Sequence, residues 1–456
     1  LYTKFLDPTG YGVVTVIFSW FAIFNVLLAY GMETAFFRFY HSAENRKKMV
    51  STSLISLLGS TLIFLVLALT FQDKMAQLTE IDAKYIQYAI WILVLDAFVI
   101  IPFAWLRANE KAMRYALVKL INVVINISLN IFFIRFLPQI VQNDPESFWA
   151  TIYRPDFEIS YIFISNLISS SVTLFMMLRL YIRRPYAFDF PLWRNMMRYA
   201  MPVMIAGIAF TINEVFDKIL LAKLLPEGIA DGEVGKYAAC YKLAMFMTLF
   251  ATAFRMGIEP FFFSHSTSEN PQKAYAQITN YFVVLGSAIL LAVVVYADVL
   301  KLLFVRNPAY WEAMSVVPLI VLANFFLGIY HNLSVWYKVT DQTKFGAYIS
   351  LIGALLTIMI NYTLIPSMSY MASAIATMIA YGSMMVLSFY FGRRYYPIPY
   401  NFRKIYFYLS ISILFSIISF YVFDRDIWVG SFLLFVFLAL VFKMEREKLT
   451  RIFLRK

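Results

Sequence analysis

The sequence predicts an all-α integral membrane protein built as two pseudo-symmetric six-helix lobes in parallel repeat, followed by two C-terminal helices. Three observations predict it. Thirteen apolar stretches are each about long enough to cross a bilayer, basic residues crowd every second loop, and the chain resembles itself at shifts of 231 and 226 residues. Hydrophobic residues fill 61% of the 456 positions and charged residues only 14%, with a mean hydropathy of +0.70. A water-soluble core cannot use that balance.

Each crossing takes roughly 20 apolar residues, because backbone polar groups in hydrocarbon must be satisfied within the helix itself. The first stretch covers 13 to 37 and ends in a charged turn with Glu33 and Arg38. Residues 51 to 71 and 85 to 106 follow, the latter carrying Asp96 and Pro102. The stretch 115 to 137 bears Asn122, Asn126 and Asn130 on one face, and 159 to 181 comes after the longest outward loop, 138 to 158. Residues 199 to 222 and 236 to 263 hold most of the intramembrane charge. The remaining stretches are 276 to 300, 313 to 336, 345 to 365, 370 to 392, 404 to 423 and 427 to 443.

A net charge of +12 would suggest nucleic acid in a soluble protein. The distribution of the 39 Lys and Arg decides otherwise: 26 fall on one set of alternate loops, ten on the other, and Lys218, Lys242 and Arg255 lie inside helices. By the positive-inside rule the crowded set is cytoplasmic, so the charge orients the protein and no nucleic-acid partner is implied. The tail from Lys443 to Lys456 is then cytoplasmic.

A single cysteine, Cys240, excludes disulfides and thiolate metal sites. His41, His265 and His331 are too few and scattered for a metal set. The sequence has no phosphate-cradling glycine loop, no Ser/His/Asp arrangement and no soluble domain. It implies no cofactor and no enzyme.

A shift of 231 places Trp105 on Trp336, Arg107 on Lys338, Glu110 on Asp341, Ala116 on Ala347 and Asn130 on Asn361 without a gap. A shift of 226 places Gly31 and Glu33 on Gly257 and Glu259. Matches at helix ends favour a duplication. Corresponding segments share an orientation, so the pseudo-twofold axis runs along the membrane normal and a midplane site is expected between the halves. The helix at 199 to 222 precedes an outward loop in the second half, whereas nothing precedes the matching loop, Leu1 to Gly12. The expectation is that a first helix is missing, leaving an N-terminal lobe at 1–181, a C-terminal lobe at 182–392 and two further helices with the tail at 393–456.

Leu6, Pro8, Tyr11 and Gly12, then Asp217 with Lys218, then Gly235, Tyr237, Tyr241 and Lys242, together with Pro260 and the Gln342 to Lys344 turn, resemble the multidrug, oligosaccharidyl-lipid and polysaccharide exporter superfamily. The resemblance is closest to its polysaccharide branch, which includes O-antigen flippases and is related to lipid II flippases. It implies a cargo of sugars on an undecaprenyl diphosphate carrier, moved by alternating access through a cavity lined by the first, second, seventh and eighth helices. It also implies membrane lipids and a glycan polymerase as partners.

Ionisable groups at the bilayer centre cost at least about 2.5 to 3.5 kcal/mol and normally face a cavity or one another. Arg255 lies deep in the eighth helix of the family count, with Glu259 one turn on and on the same face. Either the two neutralise each other, or Arg255 meets diphosphate oxygens with its forked donors. Arg38 is a cargo cation or a snorkelling anchor. Lys218 and Lys242 are further cavity cations, and Asp217 and Lys242 should lie at similar depth and pair. Glu33, Glu259, Asp217, Glu214 and Asp96 are the gating or ion-coupling candidates. For Asp96, capping a helix broken near Pro102, or bonding to another helix, are the structural alternatives. The Asn122, Asn126 and Asn130 stripe either bonds neighbouring helices or meets sugar hydroxyls.

The sequence therefore reads as a flippase moving a lipid-diphosphate-linked oligosaccharide or polysaccharide repeat unit from the cytoplasmic to the outer leaflet. The resemblance implies a bacterial inner membrane, with both termini cytoplasmic. A cation-coupled drug exporter of the same superfamily is the alternative. It would favour carboxylates over buried cations.

Overall fold

The computed structural model describes residues 2–40, 46–182, 186–264 and 269–454, and every regular element among them is helical. His41 and His265 lie outside the described residues. Helix α1 spans Pro8–Ala29 and α2 spans Met32–Tyr40. Asp7 starts α1 by accepting the Gly10 N–H at 2.9 Å, and Pro8 brings a φ that suits a first helical position. The chain breaks between the two at Tyr30 and Gly31, with φ of 32° and 71°. A Cβ on Gly31 would run into the backbone carbonyl of Ala200, so the close approach as well as the left-handed backbone requires glycine.

Helices α3 (Arg46–Thr70), α4 (Ala83–Ala108), α5 (Ala112–Ile131) and α6 (Glu158–Ile182) follow, and α4 runs through Pro102 without breaking. Helix α7 (Phe190–Leu224) is 35 residues long. After it come α8 (Ala230–Tyr241), a 3-10 turn at Lys242–Ala244, α9 (Met245–Ser264), α10 (Pro271–Val295), α11 (Val317–Leu333) and the short α12 (Val335–Val339). The chain ends with α13 (Lys344–Met368), α14 (Tyr370–Tyr395), α15 (Phe402–Ile417) and α16 (Ile427–Leu454). Among the described residues, 12 helical stretches are long and apolar enough to cross a membrane. Helix α7 covers the sixth apolar stretch, 199 to 222, the one of the thirteen that is not among these 12.

The chain divides into two compact units, residues 1–215 and 216–456, with the boundary inside α7. In the first unit α4 packs against α1, α2, α3 and α6, and α5 packs on α6. Met32, Ala35, Phe36, Met49, Ala97, Ile101, Ala104 and Phe163 are fully buried at these contacts. In the second unit α11 packs against α9, α10 and α14, and α13 packs on α14. The pairings of the first unit thus recur, as the duplication predicts. Helices α15 and α16 both pack on α10.

Lipid is as apolar as leucine, so close packing of small residues and hydrogen bonds hold such helices together. Helix α14 buries Ala372, Ser373, Ala376, Thr377 and Ala380, which lets its neighbours approach. Outward-facing Ile63, Val66, Phe175, Phe432 and Phe435 are each more than half exposed, a pattern suited to acyl chains. The stretch before α7 is pinned to α3. The Ala187 N–H donates to Ser51 Oγ at 2.7 Å, the Asp189 N–H to Thr52 Oγ1 at 3.0 Å, and Lys48 pairs with Asp189 at 2.9 Å. The Leu192 N–H and the Lys48 ammonium hold the Asp189 carboxyl below its ordinary range.

Candidate functional site

Ion pairs at corresponding places in the two units organise the charged residues. In the first, Glu33 on α2 pairs with Arg107 at the end of α4, and the guanidinium also lies 4.7 Å from the Phe37 ring. In the second, Lys338 on α12 donates to Glu259 on α9 at 2.6 Å. The sequence shifts place Glu33 on Glu259 and Arg107 on Lys338. Each pair therefore joins the same two helices of its lobe.

The second pair opens onto a crevice lined by Arg255, Glu259, Phe262, His331, Val335 and Lys338. Arg255 sits one turn before Glu259, but that carboxylate goes to Lys338. Among the described residues, Arg255 has neither an ion pair nor a hydrogen bond. The mutual neutralisation of Arg255 and Glu259 allowed by their spacing does not form. Instead α12 brings the Lys338 ammonium to the carboxylate from across the crevice. Its apolar lining residues Phe262 and Val335 are buried together with Tyr275, which donates to the Phe262 carbonyl at 2.7 Å.

Asp217 and Lys218 form a separate cluster. Asp217 is 1% exposed, and it receives Lys218 Nζ at 2.9 Å and the Tyr237 hydroxyl at 2.8 Å. Lys218 also lies 4.4 Å from the Tyr241 ring. Asp217 does not take Lys242, as the reversal of the chain led us to expect; Lys242 opens the 3-10 turn between α8 and α9. Neighbouring residues diverge on a helix, but lysine is long enough to curl back onto Asp217. Glu214 is exposed on α7. Arg38 is exposed at the end of α2, with its guanidinium 4.4 Å from the Tyr199 ring.

The first unit also holds an open cavity of about 690 Å³ lined by Glu33, Asp96, Arg107, Lys119, Asn122 and Asn166 among others. Ser170 donates to Asp96 at 2.7 Å, so Asp96 bonds another helix rather than capping a break. Asn122 donates to Thr173 at 2.9 Å, Asn126 to Asn166 at 3.0 Å, and Asn130 to the Asn126 carbonyl at 2.7 Å. Asn122 and Asn126 thus tie α5 to α6, whereas Asn130 bonds within α5.

Sequence reasoning assigned Arg107 and Lys338 to the positive-inside loops and passed over them as site residues. The signal that would have found them was the duplication itself, which superposes both partners of both ion pairs. His331 was weighed only as a metal ligand. Among the described residues no group of His, Cys, Asp and Glu is arranged to hold a metal ion.

A model of the family described as polysaccharide biosynthesis protein matches residues 1–266, and one described as MatE matches residues 201–363. Comparison with curated proteins finds no match. Among solved structures, the lipid II flippase MurJ in an inward closed conformation superposes with a TM-score of 0.74 at 14% identity, covering 97% of this chain and 95% of that one. An inward-facing multidrug resistance MATE family transporter of the MOP superfamily gives 0.67 at 15% identity, over 86% and 92%. A MOP superfamily transporter from Pyrococcus furiosus gives 0.57 at 16% identity, over 85% and 87%. These likenesses establish the fold.

Proposed function

Given that the chain belongs to the polysaccharide biosynthesis protein family, within the multidrug, oligosaccharidyl-lipid and polysaccharide exporter superfamily, we propose that it is a flippase for a lipid-diphosphate-linked oligosaccharide. The observation that carries this reading is Arg255, a guanidinium inside a membrane-spanning helix with no counter-ion among the described residues. Holding such a charge there is costly unless a ligand uses it. A diphosphate fits, since its oxygens accept the parallel donors of a guanidinium. The positive-inside reading puts this end of α9 on the cytoplasmic side, where the lipid-linked cargo is loaded.

The carboxylates weigh against a cation-coupled drug exporter. Glu33, Glu259 and Asp217 are each paired with a cation, and Asp96 with a hydroxyl. In this reading they are structural or gating groups rather than the cargo site, and Arg38, Lys218 and Lys242 are subsidiary to Arg255. The protein works as a secondary transporter in a bacterial inner membrane, its transport biased by membrane potential or an ion gradient. A glycan polymerase is the proposed partner on the outer side.

The test is translocation of a fluorescent undecaprenyl diphosphate oligosaccharide in proteoliposomes. Protein-dependent flipping supports the reading. Absence of flipping, with ion-driven movement of an organic cation instead, overturns it.

A further inference from the structure

The two duplicated ion pairs differ in what surrounds them. In the first unit the positions matching Arg255 and His331 are Ala29 and Ile100, both lining the same cavity as Glu33 and Arg107. One carboxylate there faces one guanidinium from the matched set. In the second unit the matched set is Arg255, Glu259, His331 and Lys338, so two permanent cations stand beside one carboxylate, which pairs with Lys338. Within the matched set, the excess positive charge lies in the C-terminal unit.

Glu259 and Lys338 are 40% and 30% exposed, so the pair can be opened without excavating a core. The crevice has only 10 Å³ of free space, about one water's worth at most. An anion as large as a diphosphate reaches both cations only if Glu259 swings out. Resting on the reading of Arg255 given above, we infer that Lys338 is a second diphosphate-binding residue and that Glu259 is the internal anion that occupies it until cargo arrives. Cargo binding exchanges one Lys338 partner for another: the Lys338–Glu259 contact breaks, a Lys338–phosphate contact forms, and Glu259 turns to solvent. The exchange keeps Lys338 paired in both states, whereas Arg255 gains a partner only with cargo. That makes Glu259 a competitor, which sets affinity and favours release.

The experiment measures binding of farnesyl diphosphate, a lipid diphosphate without sugar, to the purified protein in detergent. Glu259→Gln removes the competitor and is expected to tighten binding by on the order of tenfold, while Lys338→Ala weakens it by a similar factor, the scale of one charge-assisted hydrogen bond. In the double variant Glu259→Gln/Lys338→Ala, the gain disappears. A purely structural ion pair predicts no tightening in Glu259→Gln, so wild-type or weaker binding by that variant, with Arg255→Ala still impaired, overturns the inference and leaves the Arg255 reading standing. Unchanged binding in Arg255→Ala defeats the reading itself, and the inference with it. Thermal unfolding of each variant identifies any that fail to fold, and Lys338→Gln then replaces Lys338→Ala.

Discussion

Lys338 donates to Glu259 at 2.6 Å across the gap between α12 and α9, and Glu33 with Arg107 repeats that contact between α2 and α4. The repetition ties a duplicated sequence to a duplicated piece of electrostatics. It also leaves Arg255, spaced one turn from Glu259, without that carboxylate.

The Glu33–Arg107 pair is about 41% exposed on both sides, so solvent screens it. Breaking it with Arg107→Ala should cost no more than about 1 kcal/mol of stability. The charge-exchanged variant Glu33→Arg/Arg107→Glu should recover most of that loss. Thermal unfolding in detergent checks both, and a loss of several kcal/mol would mean that the pair does more than tether two helix ends.

Asp217 is different because it is buried. Removing one partner of a buried pair strands the other charge, so Asp217→Ala should destabilise the protein by about 3–5 kcal/mol. Tyr237→Phe removes one neutral donor and should cost about 1–3 kcal/mol. Wild-type stability in Asp217→Ala would show that the carboxylate is not the centre of this cluster.

The two glycines matched by the repeat should behave differently. Gly31 has a φ of 71° and faces the Ala200 carbonyl, whereas a Cβ on Gly257 meets nothing within 4 Å. Gly31→Ala should destabilise by at least about 1–3 kcal/mol. Gly257→Ala, in the middle of α9, should be neutral or slightly stabilising. Equal effects at both positions would contradict the break between α1 and α2.

Asn126 reaches Asn166 on α6, so Asn126→Ala should cost about 0.6 kcal/mol, the usual value for one interhelical bond in a membrane. It should leave flipping unchanged once protein levels are matched. A selective loss of flipping for longer sugar chains would instead give these amides a role in cargo recognition.

The helices and their duplication were legible because a bilayer imposes length and hydropathy on every crossing and because polar residues at helix ends matched between halves. Partners were less legible. Arg107 and Lys338 look like ordinary inward-loop charges until the two shifts are applied together. The bend at Tyr30 and Gly31 depends on Ala200, remote in sequence, and so leaves only a glycine as its trace. Lys218 reaches Asp217 by folding back along its own helix, an arrangement that spacing rules for helix faces discourage. Asp96 offered two structural roles from sequence, and only the position of Ser170 selects between them.

The most direct measurement compares wild type with Arg255→Ala and Arg255→Lys in proteoliposomes carrying a fluorescent undecaprenyl diphosphate oligosaccharide, each variant at equal reconstituted amount. Flipping by the wild type, its loss in Arg255→Ala and partial recovery in Arg255→Lys is the predicted result. Equal flipping in all three would contradict the placing of the diphosphate at Arg255.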